Sequence, residues 1–223
     1  MKTKKLNQKE IVLGLIGLIY AFVLLLVLIN AAVASKEWHF YLFFTNESNF
    51  YCCIWFLLYG IVAFSPKLVK LRQFVTHAVT MTSVLVYMTV TFLIVAFWLY
   101  PIYKGEWIPS LFDDPSTLFT HLLTFVLMVL FYFLVKGTGK VNFVHVIYVL
   151  IYPIAYLITV EIVGSCTEWY PYDFLTPSLY GTDAKGIAIF GAVILALVAI
   201  FYGIGFGLSK LKHTIDQHHL STI

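Results

Sequence analysis

Charge is scarce in this chain. Asp, Glu, Lys and Arg make up 11% of it, less than half of the roughly 25% usual in soluble domains. That excludes a water-facing globular domain of this size. Arginine is rarer still, with Arg72 alone, so the guanidinium forks that grip phosphates and nucleic acid are missing. No nucleic-acid partner is expected. The 3 cysteines form no disulfide framework, although one bridge from Cys52 or Cys53 to Cys166 is an arrangement the count allows. There is no CxxC, HExxH, P-loop or GxGxxG pattern, which removes the usual zinc, nucleotide and dinucleotide motifs. His213, His218 and His219 in the tail have no companion ligand cluster. No metal and no organic cofactor is expected. Long polar linkers are also absent, so residues 1–223 are expected to be one domain.

What is present is hydrocarbon. The chain is 61% hydrophobic with a mean hydropathy of +0.91. It contains apolar runs of the ~20 residues needed to cross a bilayer. They are Ile11–Ala34, Asn49–Ser65, Phe74–Tyr100, Ser116–Val135, Val141–Ile162 and Ile187–Leu208. The second is short and is expected to begin nearer Thr45. The third is long and is expected to tilt or to run past the interface. None alternates as a barrel strand would. The expected fold is therefore an all-α membrane protein with six transmembrane helices. The first run has a basic start and an Ala32-Val33-Ala34 tail like a cleavage site. Its apolar length exceeds a signal-peptide core, and it reads as an uncleaved first helix.

Lysine sets the orientation. With the N-terminus in the cytoplasm, the inner segments carry Lys2, Lys4, Lys5, Lys9, Lys67, Lys70, Arg72, Lys136, Lys140, Lys210 and Lys212. Only Lys36, Lys104 and Lys185 fall outside. This bias predicts both termini cytoplasmic. Trp38, Trp98, Trp107 and Trp169 then form the outer belt. The net charge of +3 reports topology, and the chain reads as a multi-pass protein of the cell membrane. Turn signals stand at Ser65-Pro66, Tyr100-Pro101, Gly137-Thr138-Gly139 and Gly181-Thr182-Asp183. The polar stretch Gly164–Lys185 suits an outer cap. Gly203 and Gly207 form a small-xxx-small pair, read as internal packing in preference to a dimer contact. Nothing in the sequence sets the oligomeric state.

Polar groups inside the spans constrain function, because hydrocarbon tolerates them only when they face the bundle or water. Thr45 lies at the outer start of the second span, with Ser48 and Asn49 one turn on and on its face. His121 lies a little over one turn into the fourth span, at about the same depth. Glu161 is near the outer end of the fifth. Together they outline a pocket open to the outer leaflet. Each has a plainer reading. Thr45 with Asn46 suits a helix cap, His121 a bundle histidine bonded to a carbonyl, and Glu161 a side chain snorkelling to the interface.

Four features carry a resemblance. They are Phe44-Thr45 opening the second span, His121 early in the fourth, Tyr152-Pro153-Ile154-Ala155-Tyr156 in the fifth, and Trp169-Tyr170-Pro171-Tyr172-Asp173-Phe174-Leu175 after it. In these the chain resembles the androgen-induced-gene and androgen-dependent TFPI-regulating membrane proteins and their bacterial relatives. The resemblance implies a six-helix intramembrane threonine hydrolase that cleaves fatty acid esters of hydroxy fatty acids. It implies Thr45 as nucleophile and His121 as base. The sequence departs from the animal proteins at Asn46-Glu47-Ser48-Asn49, where they continue with apolar residues. A threonine hydroxyl needs such a base, and His121 would return the proton to the leaving alcohol. Ser48, Asn49, Glu161, Tyr152 and Tyr156 are candidates for substrate binding or the oxyanion. Glu161 or Asp173 is a candidate to orient the imidazole. The expected partner is a lipid substrate from the bilayer. The competing reading is a small transporter or lipid-binding protein that uses the same pocket.

Overall fold

The computed structural model describes residues 7–99, 115–138 and 143–221. The Tyr100-Pro101 turn, Trp107, Lys2, Lys4, Lys5, Lys104, Lys140 and the expected start at Val141 lie outside the described residues. Six helices are long and apolar enough to cross a membrane. Apart from an isolated bridge between His77 and Thr138, there is no β-structure among the described residues.

The helices are α1 (Gln8–Ser35), α2 (Phe44–Phe64), the short α3 (Val69–Val75), α4 (Ala78–Leu99), α5 (Pro115–Leu134), α6 (Val144–Thr167) and α7 (Ala184–Ser221). Two of them hold the centre. In α2 and α4, 56% of the most apolar stretch is buried, against 6% in α7. α7 therefore packs by one narrow edge and turns most of its surface outward.

α1 and α2 approach closely because small residues meet between them. A Cβ at Gly14 would stand 2.4 Å from Ala63 Cβ, and one at Gly60 2.4 Å from Leu18 Cγ. Beside this seam lies an aromatic core. Phe56 and Phe131 meet edge to face at 5.0 Å, an arrangement the ring quadrupoles favour. Trp55 Nε1 donates to the Val75 carbonyl at 3.0 Å and ties α2 to α3. Lys212 is buried here as well, and its ammonium donates to Val135 C=O at 2.9 Å. It thereby satisfies a carbonyl at the C-terminus of α5 that the helix itself leaves open.

A second core gathers Phe44, Tyr87, Tyr152, Tyr156, Tyr172 and Phe201. Pro153 shapes it. Its missing N–H frees the carbonyl of Val149, and Tyr87 Oη donates to that carbonyl at 3.1 Å. The winding of α6 changes there, from 3₁₀ up to Leu150 to α from Ile151.

Three expectations need correction. The third run, Phe74–Tyr100, is not one helix but breaks at Thr76–His77. There His77 accepts from Val79 N–H at 3.3 Å and caps α4. Thr138 also bonds the backbone of Thr76 and Ala78, in place of the bonds a continuous helix would make. The fifth span runs on past Ile162 to Thr167, because the Ser165 and Thr167 hydroxyls bond back to Ile162 and Val163 carbonyls at 2.8 Å. Glu161 therefore lies roughly 9 Å inside the helix end, and not at it. No correction applies to the three cysteines, which are free, with Cys52 and Cys53 buried and Cys166 exposed. Gly203 and Gly207 do not pack internally: a Cβ at either would meet nothing within 4 Å, while Gly205 faces Val146 and Val149. The backbone twist of α7 puts the intervening glycine, not the pair, on the packed edge.

Candidate functional site

The site is built on the first turn of α2. A helix start leaves backbone N–H groups without partners. The N-cap here is Phe43, whose side chain cannot help. Neither Thr45 nor Asn46 supplies the cap. Asn46 Nδ2 is instead spent on the Phe40 carbonyl at 2.8 Å. Two tyrosines from distant segments take the role. Tyr156 Oη accepts from Phe44 N–H at 3.1 Å and donates to Leu42 C=O at 2.9 Å. Tyr172 Oη accepts from Thr45 N–H at 3.3 Å. Tyr156 sits roughly 16 Å of helix below the end of α6. The start of α2 is thus recessed into the bundle and reached from above through the segment after α6.

Thr45 is buried, with its side chain close to the Tyr172 phenol but not at hydrogen-bonding geometry. Burial pushes that phenol up to about 12, opposed in part by the Thr45 side chain and the backbone N–H groups at the start of α2 nearby. It therefore stays protonated at neutral pH and keeps a proton to donate.

One turn on, Ser48 and Asn49 are fully buried. Asn49 Nδ2 donates to Thr45 C=O at 2.8 Å, which leaves one amide hydrogen for another partner. Ser48 Oγ, Asn49 Oδ1 and Tyr152 Oη are buried without hydrogen-bond partners. Tyr152 Oη comes close to Ser48 and Glu47, but not at hydrogen-bonding geometry. Each such group costs about 1–3 kcal/mol if left dry. A cluster of them in a bundle calls for water or the polar part of a ligand.

His121 comes from another side. It is half-buried in the π-wound turn Leu118–Leu123 of α5, which packs against α1, α2 and α4. Such π-turns recur at functional sites. Its neighbours fix the turn: Thr124 Oγ1 meets Tyr20 Oη at 2.8 Å, and Phe119 stacks on Tyr20 at 5.2 Å. Among the described residues no hydrogen bond joins His121 to Thr45; the partners of Thr45 are Tyr172 and Asn49.

Glu161 stands apart from this cluster. One of its carboxylate oxygens is buried without a hydrogen bond, and its electrostatic neighbour is Tyr170. Burial raises the Tyr170 phenol and the charge of Glu161 adds to it. The Tyr170 ring lies on Gly164, where a Cβ would fall 2.2 Å from Cζ. Asp173 is exposed on the cap.

The structure therefore brings Thr45, Ser48, Asn49, Tyr152 and Tyr156 into one cluster, holds His121 on α5 and leaves Glu161 beside the cap. Tyr172 was missed as a site residue. Its signal was the aromatic-proline stretch Trp169-Tyr170-Pro171-Tyr172, which offers several hydroxyls and does not say which one turns inward. Open cavities occur in the cap and beside the first turns of α2. A cleft of about 690 Å³ lies in the cap, between residues such as Glu168, Tyr170, Thr176 and Thr182. A groove of about 330 Å³ is lined by Tyr41, Glu47, Phe50, Tyr51 and Ile54. Neither is lined by Thr45 or His121. No group of His, Cys, Asp and Glu side chains suited to a metal ion occurs among the described residues.

In comparisons with known proteins, no family model, no curated protein and no solved structure matches this chain.

Proposed function

We propose that this protein is an intramembrane hydrolase of lipid esters, with Thr45 as nucleophile and His121 as base. The substrate class is fatty acid esters of hydroxy fatty acids or similar acyl esters. One observation carries the reading. The Thr45 hydroxyl is buried in a polar cluster and has no capping duty, because tyrosines hold the helix start in its place. A hydroxyl kept in hydrocarbon without a structural task is the unusual feature here.

In this mechanism His121 takes the Thr45 proton, directly or through one water, as the hydroxyl oxygen attacks the ester carbonyl. The C–O bond to the alcohol breaks, and His121 hands the proton to the leaving oxygen. Water then attacks the acyl-threonine with His121 again as base, and releases the acid. The Tyr172 phenol and the remaining Asn49 amide hydrogen are the donors at hand for the oxyanion. Contacts between catalytic groups tighten on substrate binding, which accommodates the lack of a Thr45–His121 bond.

That same lack favours a second reading, a lipid-binding or transport protein that holds a ligand in this cluster. Turnover separates the two. The purified full chain is given a fatty acid ester of a hydroxy fatty acid, and released acid is measured. Thr45→Ala and His121→Ala should each lower the rate by at least ~100-fold, and the double variant should be no worse than either. Thermal melting checks that each variant folds. Full turnover in Thr45→Ala refutes the enzyme reading, and saturable binding without turnover in the unaltered protein supports the second.

A further inference from the structure

Glu47 has no part in the mechanism above, yet its surroundings are specific. It is in the first turn of α2 and half-buried. The ion pairs among the described residues are Arg72–Glu10 and His39–Glu37, so among the described residues Glu47 has no cation beside it. A carboxylate held partly out of water without a counter-charge is costly. A first-turn acid does favour the helix dipole, but that role asks for no particular walls.

Here the walls are aromatic. Tyr41, Phe50 and Tyr51 line the groove together with Glu47 and Ile54. Tyr41 and Phe50 meet edge to face at 69°, with ring centroids 5.6 Å apart, and make a corner. Tyr51 is held in place by Tyr152 at 4.5 Å. Tyr41 and Tyr51 are 44% and 46% exposed, so their faces are open to an incoming group. Rings set at an angle to one another around one carboxylate attract a cation twice, through the π faces and through the charge. The groove also lies in the lysine-poor, tryptophan-bearing half of the bundle.

The geometry points to a binding site for the alkylated ammonium headgroup of a lipid, seated between Tyr41, Phe50 and Tyr51 with Glu47 as its counter-charge. A trimethylammonium group fits better than a primary one. It has no N–H donors to satisfy, and the groove offers it rings and a single carboxylate. An anionic headgroup is repelled by both.

The test is direct binding. The full chain, as Thr45→Ala so that turnover plays no part, is held in a choline-free maltoside detergent. It is titrated with dihexanoyl phosphatidylcholine, phosphatidylethanolamine or phosphatidylglycerol, with thermal stability as readout. The choline lipid should saturate. The ethanolamine lipid should bind more weakly and the glycerol lipid at least ~10-fold more weakly, and tetramethylammonium should compete. Glu47→Gln should weaken the choline lipid about tenfold, and Tyr51→Leu about fivefold by removing one wall. Tyr51→Leu changes an exposed ring and keeps the test alive if Glu47→Gln folds poorly. Equal affinity for the choline and glycerol lipids overturns the site, as does tighter binding of ethanolamine. Unchanged binding in both variants overturns it too.

Discussion

Tyr156→Phe removes one oxygen and breaks two bonds. The hydroxyl accepts from Phe44 N–H at 3.1 Å and donates to Leu42 C=O at 2.9 Å. Both backbone groups lie beside Tyr156, which is itself 7% exposed, so little water can replace it. Each orphaned group costs about 1–3 kcal/mol in a buried setting. Membrane hydrogen bonds sit at the low end of such ranges, near 1 kcal/mol. The expected loss is therefore about 2–4 kcal/mol for the pair. The ring remains, so its contacts with Phe44 and Tyr152 are not part of the loss. Equilibrium unfolding in mixed micelles measures it. Tyr172→Phe is the internal reference, because its hydroxyl carries the longer backbone bond, 3.3 Å, to Thr45 N–H, and it should cost less. A loss below about 0.5 kcal/mol for Tyr156→Phe would refute the view that these tyrosines cap α2.

Three further outcomes follow from the packing and the titration. Tyr172 has a folded value of about 12 against an ordinary 10.0, so the fold favours the neutral phenol; its contribution to stability is complete below pH 10 and lost as pH rises through about 12. Unfolding followed from pH 8 to 12 should show an alkaline loss in the unaltered protein that is smaller in Tyr172→Phe. Gly14→Ala drives a Cβ to 2.4 Å from Ala63 Cβ and should cost about 1–3 kcal/mol in the same unfolding assay, recovered in large part by Ala63→Gly. Gly203→Ala meets nothing and should raise the melting temperature, by up to ~1 kcal/mol of helix propensity; destabilisation instead would show that the outward face of α7 is packed against something.

Hydropathy made the six spans legible because a helix in lipid must be apolar along its whole length. For the same reason it could not separate α3 from α4. Phe74, Val75, Ala78 and Val79 read as one run, and the break comes from a tertiary partner, Thr138, that the run does not contain. Ser165 and Thr167 read as loop, since a hydroxyl looks polar in a sequence whether or not it bonds its own helix. At the site, the inward faces of Thr45, Ser48 and Asn49 followed from helical spacing alone. Tyr152 and Tyr156, one turn apart, share a face for the same reason. What spacing cannot say is which groups meet across helices. The phenol against Thr45 belongs to a segment 127 residues away, and the buried ammonium of Lys212 reaches a carbonyl 77 residues away.

The tyrosine latch on α2 bears on how the chain is assembled. Its partners are made long after α2 itself, at separations of 112 and 127 residues. Until α6 and the segment beyond it arrive, the first turn of α2 has open N–H groups and no lock. α1 and α2 can zip along Gly14 and Gly60 as an early hairpin, since that seam is local. The Thr45 end of the same hairpin is finished last, when nearly the whole chain is in the bilayer. Maturation of the cluster then acts as a completion check: a chain stopped before Tyr156 can hold its early helices together and still present an unfinished site.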